Sequence, residues 1–181
     1  KLDIQHSLAV DADTGEQFEV SVFSEASMTS EHQIGITQSN PIQESIVKFT
    51  AADAQALMAL QGEAIVIPEG YTHIDDQAFN GAPVTSVSLP STLKTISFGA
   101  FYNTRLTEII IPEGVTTIGN QAFELSDISA ITIPSSVTAI GINAFKTNTP
   151  LTVSFAEGTT VIPDQAFNGA PVTSVSLPST L

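Results

Sequence analysis

Catalysis or metal binding by this protein would depend first on its histidine, serine and threonine side chains. The three histidines, His6, His32 and His73, lie far apart, and none has a second histidine or a carboxylate at the spacing of metal ligands. No serine or threonine lies in a nucleophile-elbow pattern, and a catalytic triad on the repetitive part of the chain could use only His73. We therefore predict surface histidines, no catalytic residues and no enzymatic activity.

One acidic stretch, DADTGE from Asp11 to Glu16, begins like a calcium-binding loop with oxygen ligands. It lacks the third acidic position, and no glutamate closes the loop at the required distance. A hairpin turn built around its glycine explains the stretch more simply. Both interpretations stay open at the level of sequence, and the simpler one predicts neither a metal site nor a cofactor.

Composition excludes several functions before any fold is considered. Nineteen acidic residues against five basic ones give a net charge of −14, which repels phosphate backbones and anionic lipids. The chain has no cysteine, which excludes disulfides, thiolate zinc sites and cysteine nucleophiles. No apolar run approaches the roughly 20 residues that span a bilayer. We predict neither nucleic-acid binding nor membrane insertion, and a chain that begins at Lys1 carries no information about a signal peptide.

Repetition organises the chain from residue 64 onward. The phrase DQAFNGAPVTSVSLPSTL occurs at 76–93 and again at 164–181, which is 88 residues later. Ala-Phe pairs recur every 22 residues and end at Phe79, Phe101, Phe123, Phe145 and Phe167. The two copies share inward and outward positions alike. Duplication of a block of four repeats, 88 divided by 22, explains them better than the retention of a binding patch.

Within each repeat, apolar residues alternate with others in the manner of a short strand with one buried face. The alternating pairs are Ile65 and Ile67, Val87 and Leu89, Ile109 and Ile111, Ile131 and Ile133, Val153 and Phe155, and Val175 and Leu177. A further isoleucine recurs at Ile74, Ile96, Ile118, Ile140 and Ile162. A fixed period of this size predicts a repeat solenoid of 22-residue coils with a parallel β-sheet, its strands about 4.8 Å apart. The phenylalanines should form an internal ladder, with five full coils and one partial coil over 64–181.

Residues 1–63 do not share the period, and we assign them to a small α+β unit that caps the array. Alternating runs predict antiparallel strands around Phe18, Val20 and Val22, around Ile34 and Ile36, and around Ile46, Val47 and Phe49. A helix is predicted over 51–60, with Thr50 as its N-cap and Gly62 at its end. Leu57, Met58 and Leu60 should cover the open apolar end of the solenoid, because a solenoid needs a cap for solubility.

The repeat resembles a known family. The stretch RLTEIIIPEGVTTIGNQAF, from Arg105 to Phe123, is similar to the BspA-like leucine-rich repeats of bacterial cell-surface proteins. The resemblance covers 64–181 and implies a leucine-rich-repeat right-handed superhelix, mostly β with short helical turns. It also implies an exported, secreted or surface-attached protein whose repeats bind other macromolecules in adhesion, with no catalytic residues to carry over. Pro150 and Leu151 are out of step with the pattern and Ala156 replaces a proline, which predicts a distorted strand edge.

The outward side chains between the buried pairs are the candidate ligand-binding residues. Most are small or carry a hydroxyl, which suits broad contact with an extended partner better than the grip of one small ligand. The candidates are Ser86, Ser88, Glu108, Ile110, Ala130, Thr132, Thr152, Ser154, Ser174 and Ser176. An equally strong interpretation is that such residues only keep a parallel sheet soluble.

These patterns predict a non-catalytic interaction module at the cell surface or in the extracellular space, which binds a protein or a glycan through the array. The alternative is a structural spacer or stalk that displays another domain. The last repeat supplies Val175, Leu177 and Leu181 but not the residues that would complete a coil. We expect this edge either to fray from about Leu177 onward or to pair end to end with a second copy.

Overall fold

A computed structural model describes residues 45–181 and, before them, the backbone of 4–10 and 17–23. The chain divides into two compact units, Lys1–Gln43 and Glu44–Leu181. In the first, β1 (Ile4–Val10) pairs antiparallel with β2 (Gln17–Phe23), which confirms the strand predicted around Phe18. The strand predicted at Ile34 and Ile36, the stretch DADTGE and His32 lie outside the described residues.

The second unit is a solenoid whose coils use two ladders of short parallel strands. Coils 1 to 6 begin at residues 64, 86, 108, 130, 152 and 174. The first ladder lies at the start of the coils and contains β4 (Ala64–Val66), β6 (Ser86–Ser88), β9 (Ala130–Ile133), β11 (Leu151–Phe155) and β12 (Val172–Ser176). The second ladder contains β3 (Lys48–Phe49), β5 (His73–Ile74), β7 (Thr95–Ile96), β8 (Thr117–Ile118) and β10 (Ala139–Ile140).

The first ladder preserves the alternating pattern of the repeat. Ile65 pairs with Val87 and Val153 pairs with Ile131, in each case 22 residues along the chain and in parallel. All four side chains are buried. The period-2 alternation therefore leaves the residues between them on the outer face of the same strands.

The register of the first ladder slips once, between coils 5 and 6. Leu151 pairs with Val172, whereas the residues after it resume the 22-residue offset. Pro150 occupies the position at which Ile128 is buried one coil earlier, and the next residue, Leu151, fills the buried place instead. The distortion predicted at Pro150 and Leu151 is therefore confirmed.

The second ladder is a feature that the sequence analysis missed, because its strands are only two residues long. The residue after Ile96, Ile118 and Ile140 donates its N–H to the isoleucine carbonyl one coil earlier; Gly141 N, for example, donates to Ile118 O over 2.8 Å. The ladder stops at β10, and Ile162, which was expected to join the inward isoleucines, is 37% exposed. The reason is Pro163, which follows Ile162 and has no N–H to donate.

A stack of phenylalanine rings runs through the core. Successive rings from Phe79 to Phe167 lie 5.0 to 5.8 Å apart between centroids, and Phe123 is fully buried, so the predicted ladder is confirmed. Phe49 adds a further ring, 5.5 Å from that of Phe79. The prediction that placed Ile46, Val47 and Phe49 in an antiparallel unit is wrong, because β3 pairs parallel with β5 and its phenylalanine covers the first ring of the stack.

The helix α1 (Ala51–Gln61) lies beside β4 and belongs to the same compact unit as the coils. Thr50 and Asp53 form a capping box at its start, and Gly62 follows its end, as predicted. Leu57 and Met58 pack against the core, but Leu60 is 82% exposed and does not contribute to the cap. Two residues correspond to about 200° of helical rotation, which turns Leu60 away from the side of Met58. No helix in the described ranges is long and apolar enough to cross a membrane.

Candidate binding surface

The outer face of the first ladder is the candidate binding surface, and it contains the side chains that sequence analysis proposed. Ser88, Glu108, Ile110, Thr132 and Thr152 are exposed on it. Ser86 and Ser154 are half-buried, while Ser174 and Ser176 are exposed on the last strand. Ala130 is exposed as well. The strand alternation therefore gives the right orientation for all of the predicted residues.

Two shallow depressions cover this face. The larger, of about 510 Å³, lies over coils 1 to 3 and includes Ser86 and Ser88, and the smaller, of about 350 Å³, lies over coils 3 to 5 and includes Thr132, Thr152 and Ser154. Glu108 and Ile110 line both of them. Eight of the ten predicted residues thus line two adjoining depressions, and Ser174 and Ser176 lie outside them.

Coil 3 interrupts the sheet at the boundary between the depressions. The first ladder consists of one sheet of β4 and β6 and a second of β9, β11 and β12. Between them, Glu108–Ile111 forms no strand, and no backbone hydrogen bond joins it to either neighbouring coil in the described part of the chain. Ile109 and Ile111 are buried as predicted, but Ile110 is 85% exposed.

The interruption coincides with the bulkiest outward side chains of the ladder. Coil 3 places a glutamate and an isoleucine at its outward positions, whereas the other coils have alanine, valine, serine or threonine there. The paired strand expected at coil 3 is therefore wrong, although its inward and outward positions are right. Periodicity reports which side a residue faces; it does not report whether adjacent backbones come close enough to pair.

Carboxylates are the charged groups of the depressions, and no lysine or arginine of the described residues lines either one. Glu69 accepts hydrogen bonds from Ser91 N and Ser91 Oγ, both over 3.0 Å, and the bond from the backbone N–H is the main cause that lowers the pKa of Glu69. Glu113 accepts a longer bond of 3.5 Å from Ser135 Oγ. In contrast, no described residue bonds to the carboxylate of Glu108, which lies where the two depressions meet.

Hydrogen bonds like those between Ser91 and Glu69 link the coils in pairs at the edges of the binding surface, and we call each such link a clamp. The turn after the first strand reads Glu-Gly in coils 1, 3 and 5 and Ser-Thr or Ser-Ser in coils 2, 4 and 6. The glutamate therefore always faces a serine of the next coil; Glu157, for example, accepts a bond of 3.0 Å from Ser179 Oγ. The 22-residue period of the repeat does not reveal this alternation, because the clamp recurs with a period of 44 residues.

His73, the histidine of the second unit, does not line either depression. His73 belongs to β5 on the second ladder, and its Nδ1 lies 2.8 Å from Thr72 Oγ1. His6 lies in β1 of the other unit. No group of three or more potential metal ligands occurs among the residues that the structure describes. The outer face of the first ladder is thus the feature of the described chain that is best suited to recognition.

Stacked 22-residue coils, parallel ladders and a phenylalanine core define a leucine-rich-repeat solenoid, which is a protein-interaction fold and generally not an enzyme. A family model, the BspA type leucine rich repeat region, matches residues 54–181 with six copies. The chain therefore belongs to the BspA-type leucine-rich repeat family, which confirms the resemblance found in the sequence.

Two solved structures share similarity with the chain. A leucine-rich repeat protein from Bacteroides ovatus is 18% identical with a TM-score of 0.50, over 97% of this chain and 52% of the other. A leucine rich cell surface protein from Faecalibacterium prausnitzii is 18% identical with a TM-score of 0.35, over 64% of this chain and 59% of the other. The first supports the fold, and the chain spans about half of its length. A comparison with curated proteins finds no match.

Proposed function

We propose that the solenoid is a non-catalytic interaction module that binds an extracellular protein or glycan through the outer face of its first ladder. The observation that carries the proposal is the pair of adjoining depressions, which together extend over coils 1 to 5. A ligand that follows them would be an extended macromolecule, because a small molecule would fill only one shallow hollow. Membership of the BspA-type family, whose fold serves protein interaction, supports the same function.

The proposed location is the cell surface or the extracellular space. BspA-type repeats are typical of surface-associated proteins, which supports this location. An acidic chain without cysteine is compatible with it, since its folding needs no disulfides.

A structural spacer or stalk is the second candidate. The hydroxyl-bearing outward residues of coils 2, 4, 5 and 6 favour it, because small polar side chains keep a parallel sheet soluble without any ligand. Repetition of whole coils, inward and outward positions together, is also what the lengthening of a stalk would require. The two candidates differ in one measurable property, which is the presence of a saturable partner.

The test is a binding screen of the chain against immobilised matrix proteins and cell-surface glycans by surface plasmon resonance. We expect saturable binding that is lost when Ser88→Arg or Ser154→Arg places a long charged side chain in one depression. Thr160→Arg, at an exposed position outside the depressions, is the matched control and should bind as the native chain does. Absence of saturable binding across the screen would favour the spacer instead.

A further inference from the structure

Coil 3 departs from the other coils in three respects at one place. Its outward pair, Glu108 and Ile110, is acidic and bulky where the other coils have small or hydroxyl-bearing residues or valine. Ile110 is 85% exposed, more than any other large apolar side chain of the described residues. The backbone of the same segment is left unpaired by both neighbouring strands. An exposed isoleucine and unpaired backbone groups both gain when a partner covers them.

The charged groups around coil 3 determine whether a basic or an acidic partner binds there. Glu108 accepts no hydrogen bond from any described residue, and Glu113 on the rim is held by one long bond only. Among residues 45–181 no basic side chain lines either depression, so none of them supplies a counter-charge to the carboxylate at their junction. A lysine or arginine of a partner would meet complementary charge here, while an acidic partner would be repelled.

The geometry of the segment selects an extended polypeptide. Glu108 and Ile110 are two residues apart on one face, which is about 6.6 Å in an extended chain. A second extended chain repeats that distance between its own alternate side chains, so it can place one side chain on Glu108 and the next of the same face on Ile110.

Two other occupants fit the surface less well. No aromatic ring lines either depression, so neither offers the flat apolar face on which a sugar ring packs. A second copy of this chain would bring only five basic residues with its nineteen acidic ones, and the two acidic molecules would repel each other.

On the basis of the proposed function, we infer that coil 3 is the centre of the binding surface and that its occupant is an extended basic segment of a partner protein. An apolar side chain of that segment packs on Ile110. A lysine or arginine two residues away pairs with Glu108. The serine and threonine residues of the neighbouring coils supply adaptable hydrogen bonds to the two sides of the segment.

The test uses a fluorescent peptide, Lys-Thr-Val-Thr-Lys-Thr-Val-Thr, whose lysines and valines share one face when it is extended. We expect saturable binding to the native chain by fluorescence anisotropy, and weaker or no binding of two comparison peptides, one with glutamate for lysine and one with serine for valine. Ile110→Ser should weaken binding about ten-fold, the effect of losing an apolar anchor. Glu108→Gln should weaken binding and reduce its dependence on salt, because one ion pair is removed.

Matched controls separate a site from general attraction between opposite charges. Val161→Ser and Asp164→Asn change an exposed aliphatic residue and an exposed acid outside the depressions, and both should bind the peptide like the native chain. Equal losses in Asp164→Asn and Glu108→Gln would overturn the inference, as would failure of the basic peptide to bind. Both altered residues of coil 3 are exposed, so thermal unfolding of the variants should match that of the native chain.

These experiments distinguish failure of the basic-segment inference from failure of the proposed function. A matrix protein or glycan whose binding is lost in Ser154→Arg but unchanged in Glu108→Gln and Ile110→Ser would overturn the basic-segment inference and leave the interaction module intact. Peptide binding that depends on Glu108 and Ile110 would support both.

Discussion

At the scale of single residues, one backbone position adopts the same left-handed conformation in every full coil. The residue two before each phenylalanine has a φ between 54° and 59°, and these residues are Gln77, Gly99, Gln121, Asn143 and Gln165. This left-handed conformation costs a residue with a side chain roughly 1–2 kcal/mol. In coils 1 to 3 the residue at this position donates its N–H to the next coil; Gln121 N, for example, donates to Ile142 O over 2.9 Å. The bond between coils holds the strained turn in place, and only Gly99 adopts the turn without strain.

Glycine is required for a different reason at the residue that follows the recurring isoleucine in coils 3 and 4. A Cβ on Gly119 would lie 2.7 Å from Ser97 C, and one on Gly141 would meet the backbone of Asn120. Gly141→Ala should therefore destabilise the solenoid by about 1–3 kcal/mol, the usual effect of overpacking. Urea denaturation measures it. Ser97→Ala, at the same place in coil 2, is the control and should change stability by less than about 0.5 kcal/mol.

The phenylalanine ladder supports a second prediction at this scale. Phe123 is fully buried and stacks on Phe101 and Phe145 at 5.3 and 5.5 Å between centroids. Phe123→Ala should lower the free energy of unfolding by about 3–5 kcal/mol, because it removes apolar contacts and leaves a cavity between two coils. Phe98→Ala is the control, since Phe98 is exposed and belongs to no stack. A loss below about 1 kcal/mol for Phe123→Ala would contradict a core built on the ladder.

At the scale of elements, the inward pattern of the first ladder could be predicted from sequence, and its backbone pairing only in part. Buried Ile65, Val87 and Val153 follow from alternation, as does the slip at Leu151 from one misplaced proline. The break at coil 3 could not be predicted, because Ile109 and Ile111 keep the alternation while the backbone between them leaves the ladder. The candidate surface shared this limit: the outward residues could be predicted, but not the depressions that group eight of the ten.

The clamp between coils 1 and 2 predicts how acid acts on this element. Hydrogen bonds, first of all from Ser91 N–H, hold the pKa of Glu69 below its ordinary value of 4.5. A carboxyl whose folded-state pKa is lowered contributes stability above its unfolded pKa and loses that contribution as the pH falls through the folded value. We expect the urea midpoint to fall below pH 4.5, and to fall less steeply in Glu69→Gln.

A second variant, Ser91→Ala, provides a comparison for the pH dependence of stability. Ser91→Ala removes the hydroxyl donor but keeps the backbone N–H, so its loss of pH dependence should be smaller than that of Glu69→Gln. Glu69→Gln should keep some loss of stability in acid from Asp75, whose pKa is lowered first by its hydrogen bond from Lys48. An identical pH profile for the native chain and Glu69→Gln would show that the clamp contributes nothing to stability.

The end of the second ladder supports a prediction about hydrogen exchange. Pro163→Ser supplies the missing N–H opposite the carbonyl of Ile140, at a place where coil 2 already has a serine. A new hydrogen bond contributes about 0.5–1.5 kcal/mol. Loss of the proline ring removes about 0.4–1 kcal/mol through the unfolded state, so the net stability should change little. Protection of the new amide at position 163 is therefore the decisive measurement, and exchange as fast as in an exposed loop would contradict the account of Pro163.

At the scale of the whole molecule, charge and exposed apolar surface act in opposite directions. A net charge of −14 on 181 residues opposes contact between copies and favours basic partners. Exposed aliphatic groups favour contact in general, and two such places are Ile110 and the end of β12, where Val175 and the following Leu177 are about half exposed. Only the first of these places has a carboxylate beside the isoleucine, which makes it selective for the sign of its partner.

The last strand allows a test of whether charge repulsion or apolar attraction prevails between copies of the chain. Val175 and Leu177 are about half exposed, whereas Ile131 and Ile133 of β9 are buried, so we expect the amides of β12 to exchange faster than those of β9, and light scattering to detect self-association through this surface. Association should rise with salt, because screening weakens the repulsion between acidic copies but leaves the apolar attraction. Val175→Ser with Leu177→Ser should abolish it, whereas Ile110→Ser should not. A chain that stays monomeric at high salt, with β12 amides as protected as those of β9, would contradict this account of the last strand.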